Sequence, residues 1–423
     1  MRGPDRRAGY WNRERETMSA GAREGYQTRW LSELLALAWD RASGVRRRLE
    51  QAKLTPRDVR GTEDLARLPV IRKSAMPDLQ KADPPFGGFC TEPLSRIRKI
   101  FVSPGPILEP MGPEMGAFHA ETGLFAGGFR RGDIVLNTFA YALTPAAHEL
   151  DEALNILGCT VVPTGVGQTE IQVTMARTVR ATGYVGTPSF LLTILAKAKE
   201  MGVDRLPFQV AQVGAEPFTE AMRRELADTH GIMARQGFGT ADVGMIAYEC
   251  SEASGMHLIE EAITHVCDPT TGEPLPHGQI GELVTTVNNR TYPMIRFSSG
   301  DLTVITDEPC RCGRTSARML GWRGRADEVT KVRGLFIHPR QVDEVVARVK
   351  GVERSQVIVG REGHADTLTL RVQLAGGVDA AAARQTLEAA IRDVMKLRGG
   401  IDVVAAGVIP DNAKKISDER KWD

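Results

Sequence analysis

The chain has little of what marks a specialised protein. Its 423 residues hold six cysteines: Cys90, Cys159, Cys250, Cys267, Cys310 and Cys312. That is too few for a disulfide-stapled scaffold. A bridge between Cys310 and Cys312 would be badly strained at that spacing. A reducing, cytoplasmic setting fits best, with metal binding as the use of the close pair. Net charge is nearly absent, at +1, which removes any electrostatic case for nucleic acid or an anionic membrane. No apolar run reaches the ~18 residues that span a bilayer. Met1 to Arg7 is basic, but no apolar run follows it, so a secretory signal is not expected. Internal repeats and low-complexity tracts are also missing.

What is present is ordinary globular material, 42% hydrophobic and 25% charged. The length exceeds what one compact core serves, so two or three domains are expected. Residues 1–85 read as helical and charged, with apolar residues at helical spacing in Trp30 to Trp39. Asp83-Pro-Pro-Phe-Gly-Gly88 reads as a linker. Strands and helices then alternate. Strand candidates are Asp133–Asn137, Cys159–Pro163, Ala181–Val185 and Gln209–Val213, with helices at Ala146–Leu157 and Phe190–Met201. Repeated βαβ predicts a parallel sheet with helices on both faces. Ligands in such sheets sit beyond the carboxyl ends of the strands, where the loops after Val185 and Val213 fall. After Glu249 the pattern turns to short strands and turns. From about Asp327 a smaller α+β module follows. The fold class is therefore α/β. A large region, 1–326, has parallel-rich sheets flanked by helices plus a β-rich part, and a small domain spans 327–423.

Four elements carry chemistry. Cys250, His257, Cys310 and Cys312 make a three-sulfur, one-nitrogen set, closed for tetrahedral zinc, so the implied role is structural. Four unrelated buried residues is the alternative. In Arg296-Phe-Ser-Ser-Gly-Asp301, a carboxylate just after a glycine turn can accept two hydrogen bonds from a ribose diol, although Ser-Gly-Asp is equally good turn chemistry. Gly324-Arg-Ala-Asp-Glu328 suits a hinge or a solvated linker. In the tail, Pro410 to Ile416, a lysine could meet developing negative charge or simply be solvated.

As a set, these residues resemble the phenylacetate–coenzyme A ligase family of adenylate-forming enzymes. The resemblance covers nearly the whole chain. It runs from Tyr10-Trp-Asn-Arg-Glu14 and Leu68-Pro-Val-Ile-Arg-Lys73 through Gly186-Thr-Pro-Ser189 and Gly214-Ala-Glu-Pro-Phe-Thr219. It continues in Tyr248-Glu-Cys250, Gly255-Met-His257, Asp268 to Pro274, Gly300-Asp301, Cys310 to Thr315 and Gly324-Arg325. The resemblance implies two steps. A carboxylate attacks the α-phosphate of ATP, used with magnesium, giving acyl-adenylate and pyrophosphate. Coenzyme A then displaces AMP. It implies that Asp301 binds ribose and that Gly214, Ala215 and Glu216 border adenine. Phe238, Gly239 and Thr240 would flank the adenylate, and Arg325 would sit near ribose and phosphate. Asp242 occupies the position of a motif glutamate, and the small domain would rotate about Asp327. The tail lysine aligns with Lys415, and Lys414 is its neighbour. Zinc at the Cys/His set and a homodimer are also implied.

The chain departs from this pattern at one place above all. The family's Ser/Thr/Gly-rich phosphate loop should fall at Ser103. Here it reads Ser103-Pro-Gly-Pro-Ile-Leu-Glu-Pro110. Two prolines remove two N–H donors. A glutamate stands about where a lysine would be, and its charge would repel phosphate. Ser103 and the N–H of Gly105 are the donors left. Ala241, Asp242 and Ser298 are further departures. They surround the pyrophosphate rather than the adenosine. Three readings follow: an acyl- or aryl-coenzyme A ligase with a remodelled loop, an acyltransferase on the same fold with altered phosphate handling, and a catalytically silent homologue. Phe139, Tyr141, Tyr184 and Pro188, with Phe238, are candidate walls for a carboxylic acid, an aromatic one being among the candidates, and His148 is a candidate contact.

Overall fold

A computed structural model describes residues 5–420, apart from 270, 327–329, 334, 338, 363 and 364. The chain divides into two compact units, Met1–Gly324 and Arg325–Asp423. The expected hinge residue, Asp327, lies outside the described residues.

In the first unit the chain begins with α1 (Arg13–Glu16), α2 (Ala20–Arg41) and α3 (Ser43–Gln51). Helix α2 starts where the Ser19 side chain accepts from Ala22 N–H, satisfying one of the end's orphan donors. Trp30, Leu31, Leu34, Leu35 and Ala38 are its buried stripe, at the spacing that gathers residues on one helix face. They share a core with Ile246, Ala247 and Tyr248 of the sheet, so the N-terminal helices are part of the large unit. Residues 83–88, read from sequence as a linker, are packed instead. Gly44 N–H donates to Gly88 O at 2.8 Å, and a Cβ on Gly44 would stand 2.6 Å from Gly87 O. Proline and glycine pairs signal a turn, but they do not say whether the turn is detached. Here it pins α3, whose Ser43 and Arg47 side chains donate to Asp83 Oδ2 at 3.1 and 2.8 Å.

Two strands, β1 (Lys99–Ser103) and β2 (Ile107–Met111), form a separate antiparallel hairpin. The main sheet follows with β3 (Ile134–Asn137), β4 (Thr160–Pro163), β5 (Gly183–Gly186), β6 (Val210–Val213) and β7 (Met233–Thr240). These lie side by side in the order β4-β3-β5-β6-β7, all parallel. The residues of β5 and β6 are buried throughout, as expected for strands covered on both faces. Helix α4 (Ala146–Leu157) crosses from β3 to β4 and ends at Gly158, whose φ of 81° closes it. Helix α5 (Pro188–Glu200) follows β5. It is capped by the Thr187 side chain, which accepts from Phe190 N–H.

Strand β7 changes the sheet's character. Its second half pairs antiparallel with β8 (Gly244–Glu249). The sheet continues through β9 (Met256–Leu258), β12 (Arg318–Arg325), β11 (Asp301–Thr306) and β10 (Ile280–Val287). Pairs are antiparallel where β8 meets β9, β9 meets β12 and β10 meets β11. The expected parallel-rich and β-rich parts are thus halves of one sheet.

The second unit carries a four-stranded sheet in the order β15-β14-β13-β16. These strands are β13 (Val352–Glu362), β14 (Ala365–Leu374), β15 (Gly400–Val404) and β16 (Ile416–Asp418). Helices α6 (Pro339–Val346) and α7 (Ala380–Ala390) complete it, α7 capped by Asp379. Val357, Leu370, Leu387 and Ile416 lie in its own apolar core. Among the described residues no helix is long and apolar enough to cross a membrane.

Candidate functional site

The loops at the carboxyl ends of β5 and β6 are tied to one another. Gly214 N–H donates to Gly186 O at 3.2 Å, and Glu216 Oε1 accepts from Ser189 N–H at 2.7 Å. The loop after β6 is thereby fastened to the first turn of α5. Ala215 sits between them at φ 67° with its side chain exposed. A non-glycine residue in the left-handed region is uncommon. On β7, a bulge lies between Phe238 and Gly239, and a Cβ on Gly239 would meet Gly244 O at 2.5 Å. Phe238 is half-buried, while Thr240 Oγ1 is buried with no hydrogen-bond partner among the described residues. These residues line the carboxyl ends of the strands, where ligands of parallel sheets bind.

Asp301 opens β11 and is buried. Trp322 Nε1–H donates to its Oδ1 at 2.9 Å, and Ser299 Oγ–H donates to Oδ2. The turn before it is held by Ser298, whose Oγ accepts from Gly300 N–H at 3.0 Å and donates to Glu282 Oε1 at 2.7 Å. Ser298, a departure from the family pattern, therefore fixes the turn that presents Asp301.

The loop at Ser103 is a tight hairpin turn. Ser103 pairs with Ile107, and Pro104-Gly105-Pro106 is its exposed tip. Only Gly105 in that tip has an N–H to offer. Beneath the tip lies a buried polar cluster that sequence reasoning did not assemble. Ser103 Oγ–H donates to Glu109 Oε1. Lys73 Nζ donates to Asp242 Oδ2 at 2.6 Å and to Ser103 Oγ at 3.3 Å. Glu109 is 3% exposed and Asp242 likewise 3%. Burial, with Asp242 as the next cause, pushes the Glu109 carboxyl well above the usual carboxylate range. Burial thus works against the charge that was expected to repel phosphate. The legible signal was a lone acid inside the apolar stretch Ile107-Leu-Glu-Pro-Met111. Lys73 gave no such signal, because its partner Asp242 is far along the chain.

Cys250, His257, Cys310 and Cys312 come together. Their ligand atoms all lie within 4.8 Å of one another. Cys250 Sγ is 3.8 Å from Cys310 Sγ, and Cys312 Sγ is 3.4 Å from His257 Nε2. Tetrahedral zinc with Zn–S bonds of about 2.3 Å sets sulfurs about 3.8 Å apart, so the donor set fits that ion. His257 Nδ1 lies 3.3 Å from Ser316 O, which turns Nε2 toward the place a metal would take. A hydrogen bond from Cys250, and a further one from His257, hold the Cys312 thiol far below its ordinary value, while Cys312 and burial raise that of Cys250. The N-terminal segment closes over this cluster. Tyr10 Oη–H donates to Cys312 O at 3.0 Å, and Arg314 Nε pairs with Glu16 Oε2 at 2.7 Å. Both partners of that ion pair are buried. Glu16→Ala leaves Arg314 uncompensated and is expected to cost about 3–5 kcal/mol. The denaturant midpoint of the purified variant measures it, and a loss under about 1 kcal/mol, the value of a surface pair, would count against a buried pair.

Lys415 lies in the second unit, just before β16. Its carbonyl accepts from Val357 N–H at 2.9 Å, and its Nζ pairs with Asp343 Oδ1 at 2.8 Å. Lys414 is exposed, and Gln356 Nε2 donates to its carbonyl. Arg325 ends β12. Of the candidate acid-binding residues, Phe139 and Tyr141 are half-buried in the loop after β3, where Tyr141 Oη donates to Asp151 Oδ1 at 2.9 Å. Pro188 is buried at the start of α5. Tyr184 is fully buried against Phe208, with its hydroxyl on Thr138 and on the Thr187 carbonyl. His148 stacks on Phe101 and accepts from Lys99 Nζ at 2.8 Å, so it braces the β1 hairpin.

This fold, with its two units and its rim of loops, is that of the adenylate-forming enzymes. A family model of the AMP-binding enzyme C-terminal domain matches residues 334–420. The structure of 2-hydroxyisobutyryl-CoA ligase, solved with 2-HIB-AMP and CoA, superposes with a TM-score of 0.88 and 27% identity. The superposition covers 100% of this chain and 94% of that one. The phenylacetate–coenzyme A ligase of Thermus thermophilus is 33% identical over 376 residues, covering 85% of this chain and 83% of the relative. That of Aromatoleum evansii is 31% identical over 352 residues, covering 80% and 78%. The chain belongs to the phenylacetate–coenzyme A ligase family.

Proposed function

We propose that this protein is an ATP-dependent ligase that activates a carboxylic acid as its acyl-adenylate and passes the acyl group to coenzyme A. The observation that carries this reading is the buried Asp301. Its carboxylate is presented by a purpose-built turn and steadied by Trp322 and Ser299. A carboxylate so held accepts from a ribose diol with little reorganisation. Gly214, Ala215 and Glu216 border the base in this reading, Phe238, Gly239 and Thr240 flank the adenylate, and Arg325 reaches ribose and phosphate. Ser103, Gly105 and Lys73 supply donors to the phosphates, with magnesium carried on the nucleotide. Asp242 orients Lys73 across their 2.6 Å ion pair. Lys415 supplies charge to the first step. The small domain, 327–423, turns about Asp327 between the steps.

The acid enters beside Phe139, Tyr141 and Pro188, where two aromatic rings suit an aryl acid. The Cys/His set holds a structural zinc, since all four positions are protein ligands and none is left for substrate. The six cysteines are unpaired, which fits the cytoplasm, and a homodimer is the assembly proposed.

The Pro-Gly-Pro tip favours a second reading, an acyltransferase of the same fold that handles ATP phosphates differently. Pyrophosphate exchange into ATP, run with a panel of aliphatic and aromatic acids, separates the two. Exchange supports the ligase; no exchange with any acid and no ATP binding would sink it. In the ligase, Asp301→Ala should raise the KM for ATP about 10- to 100-fold. That is the cost of about 1.5–3 kcal/mol for hydrogen bonds to a charged group. An unchanged KM would remove Asp301 from the nucleotide site.

A further inference from the structure

Glu109 is the group in the phosphate region that the proposed reaction leaves unexplained. It is a buried carboxyl on β2, in hydrogen-bonding reach of a second buried carboxyl, Asp242. One oxygen of each is accounted for: Ser103 donates to Glu109 Oε1, and Lys73 donates to Asp242 Oδ2. The other two, Glu109 Oε2 and Asp242 Oδ1, are buried and have no donor among the described residues. Two ionised carboxylates cannot sit together in a buried site with one lysine between them without a large penalty. A single proton held between them satisfies both orphaned oxygens at once, and the cluster then sums to neutrality with Lys73.

We propose that Glu109 and Asp242 share one proton, and that Glu109 is thereby a positioning residue for adenylation, holding Ser103 and Lys73 beneath the Pro-Gly-Pro tip. The inference rests on the ligase reading for its consequence, not for the proton itself. The groups facing Glu109 agree with a retained proton. Burial and Asp242 favour the neutral acid, Lys73 and Ser103 oppose it, and burial dominates. From α4, Glu149 turns a further buried carboxyl toward the same region; its own proton is held by burial and by Glu109, Glu152 and Asp242. Tyr292 is a phenol kept neutral first by burial, with Asp242 and Glu109 adding to it.

A carboxyl raised above its ordinary value keeps its proton at pH values where a free carboxyl has lost it, and releases it as pH rises through the raised value. Release turns the cluster net negative, draws Lys73 wholly onto carboxylates and places like charge under an incoming phosphate. Adenylation should therefore fall on the alkaline side. Glu109→Gln reproduces the neutral state: its carbonyl can accept from Ser103 and its amide can donate to Asp242. Glu109→Ala reproduces neither.

Two measurements test this. The first is infrared difference spectroscopy of the wild-type protein at neutral pH against Glu109→Gln, without substrate. A protonated carboxylic acid carbonyl band that is present in wild type and absent from the variant is expected. The second is the pH profile of pyrophosphate exchange. Wild type should lose activity at alkaline pH. Glu109→Gln should lack that alkaline fall and retain at least about a third of the wild-type rate, while Glu109→Ala drops at least about tenfold, the range of a lost positioning contact. No carboxylic acid band, or identical alkaline limbs in wild type and Glu109→Gln, overturns the proposal. A band without exchange toward any acid supports the shared proton and counts against the ligase reading, so the two failures are distinguishable.

Discussion

Lys415→Ala is expected to slow adenylate formation by about 10²–10³-fold, the usual loss when one preorganised donor to developing charge is removed. It should leave the transfer of a preformed acyl-adenylate to coenzyme A within about threefold of wild type, since that step attacks a carbonyl carbon and gathers no charge on a transferring phosphoryl group. The local structure explains why this lysine, rather than its neighbour, is suited to the first step. Lys415 is anchored through its carbonyl to Val357, and the next residue, Ile416, is buried in the core of the second unit. The backbone beneath the side chain is fixed. Its ammonium pairs with Asp343, whose carboxylate is 60% exposed. A pair so exposed is worth about 0–1 kcal/mol and yields easily to a triphosphate. Lys414→Ala, at an exposed position, should change either half-reaction by less than about threefold. Equal losses in both variants would remove the assignment. Single-turnover rates of the two half-reactions, measured separately, decide it.

Removing metal from the set of Cys250, His257, Cys310 and Cys312 should have the largest effect on stability. Structural zinc contributes about 10–16 kcal/mol in small peptides. The set here sits in a folded unit, so only part of that is at stake. About a third would move the unfolding midpoint by on the order of 10 °C. Chelation at raised temperature, or Cys312→Ser, should give that shift and release one equivalent of zinc per chain. The N-terminal segment should loosen with it, because Tyr10 and Glu16 are held by Cys312 O and Arg314. Faster amide exchange at Arg13–Glu16 would report this. Protein purified without chelator that contains no zinc would refute the assignment.

How much of the molecule is readable from sequence depends on the range of the interaction. Strands β3, β5 and β6 announce themselves as short apolar runs between turn residues, because both of their faces are buried. Helix α4 runs from Ala146 to Leu157 as its periodicity predicts. The Cys/His set is readable because soft ligands in a Pro- and Gly-flanked turn have few other uses. What is not readable has its partner far away in sequence. Ile71 and Arg72 form a short strand against Phe297 and Ser298, and no local pattern specifies that pairing. Residues 83–88 have linker composition yet are packed through Phe86 and Gly88. Glu109 misleads for a related reason: an acid's charge depends on its surroundings, and residue type alone does not give the surroundings.

The Pro-Gly-Pro tip also bears on the entropy of binding. Glycine in a Ser/Thr/Gly-rich loop gives the backbone many conformations, and ordering such a loop opposes binding at about 1–2 kcal/mol per residue fixed. Two prolines around Gly105 restrict the chain before any ligand comes. The hairpin has therefore given up donors and, with them, most of its ordering cost. Nucleotide binding to this protein should carry a smaller unfavourable entropy at the loop than a flexible cradle would impose, and its affinity should rest on contacts elsewhere, at the adenosine.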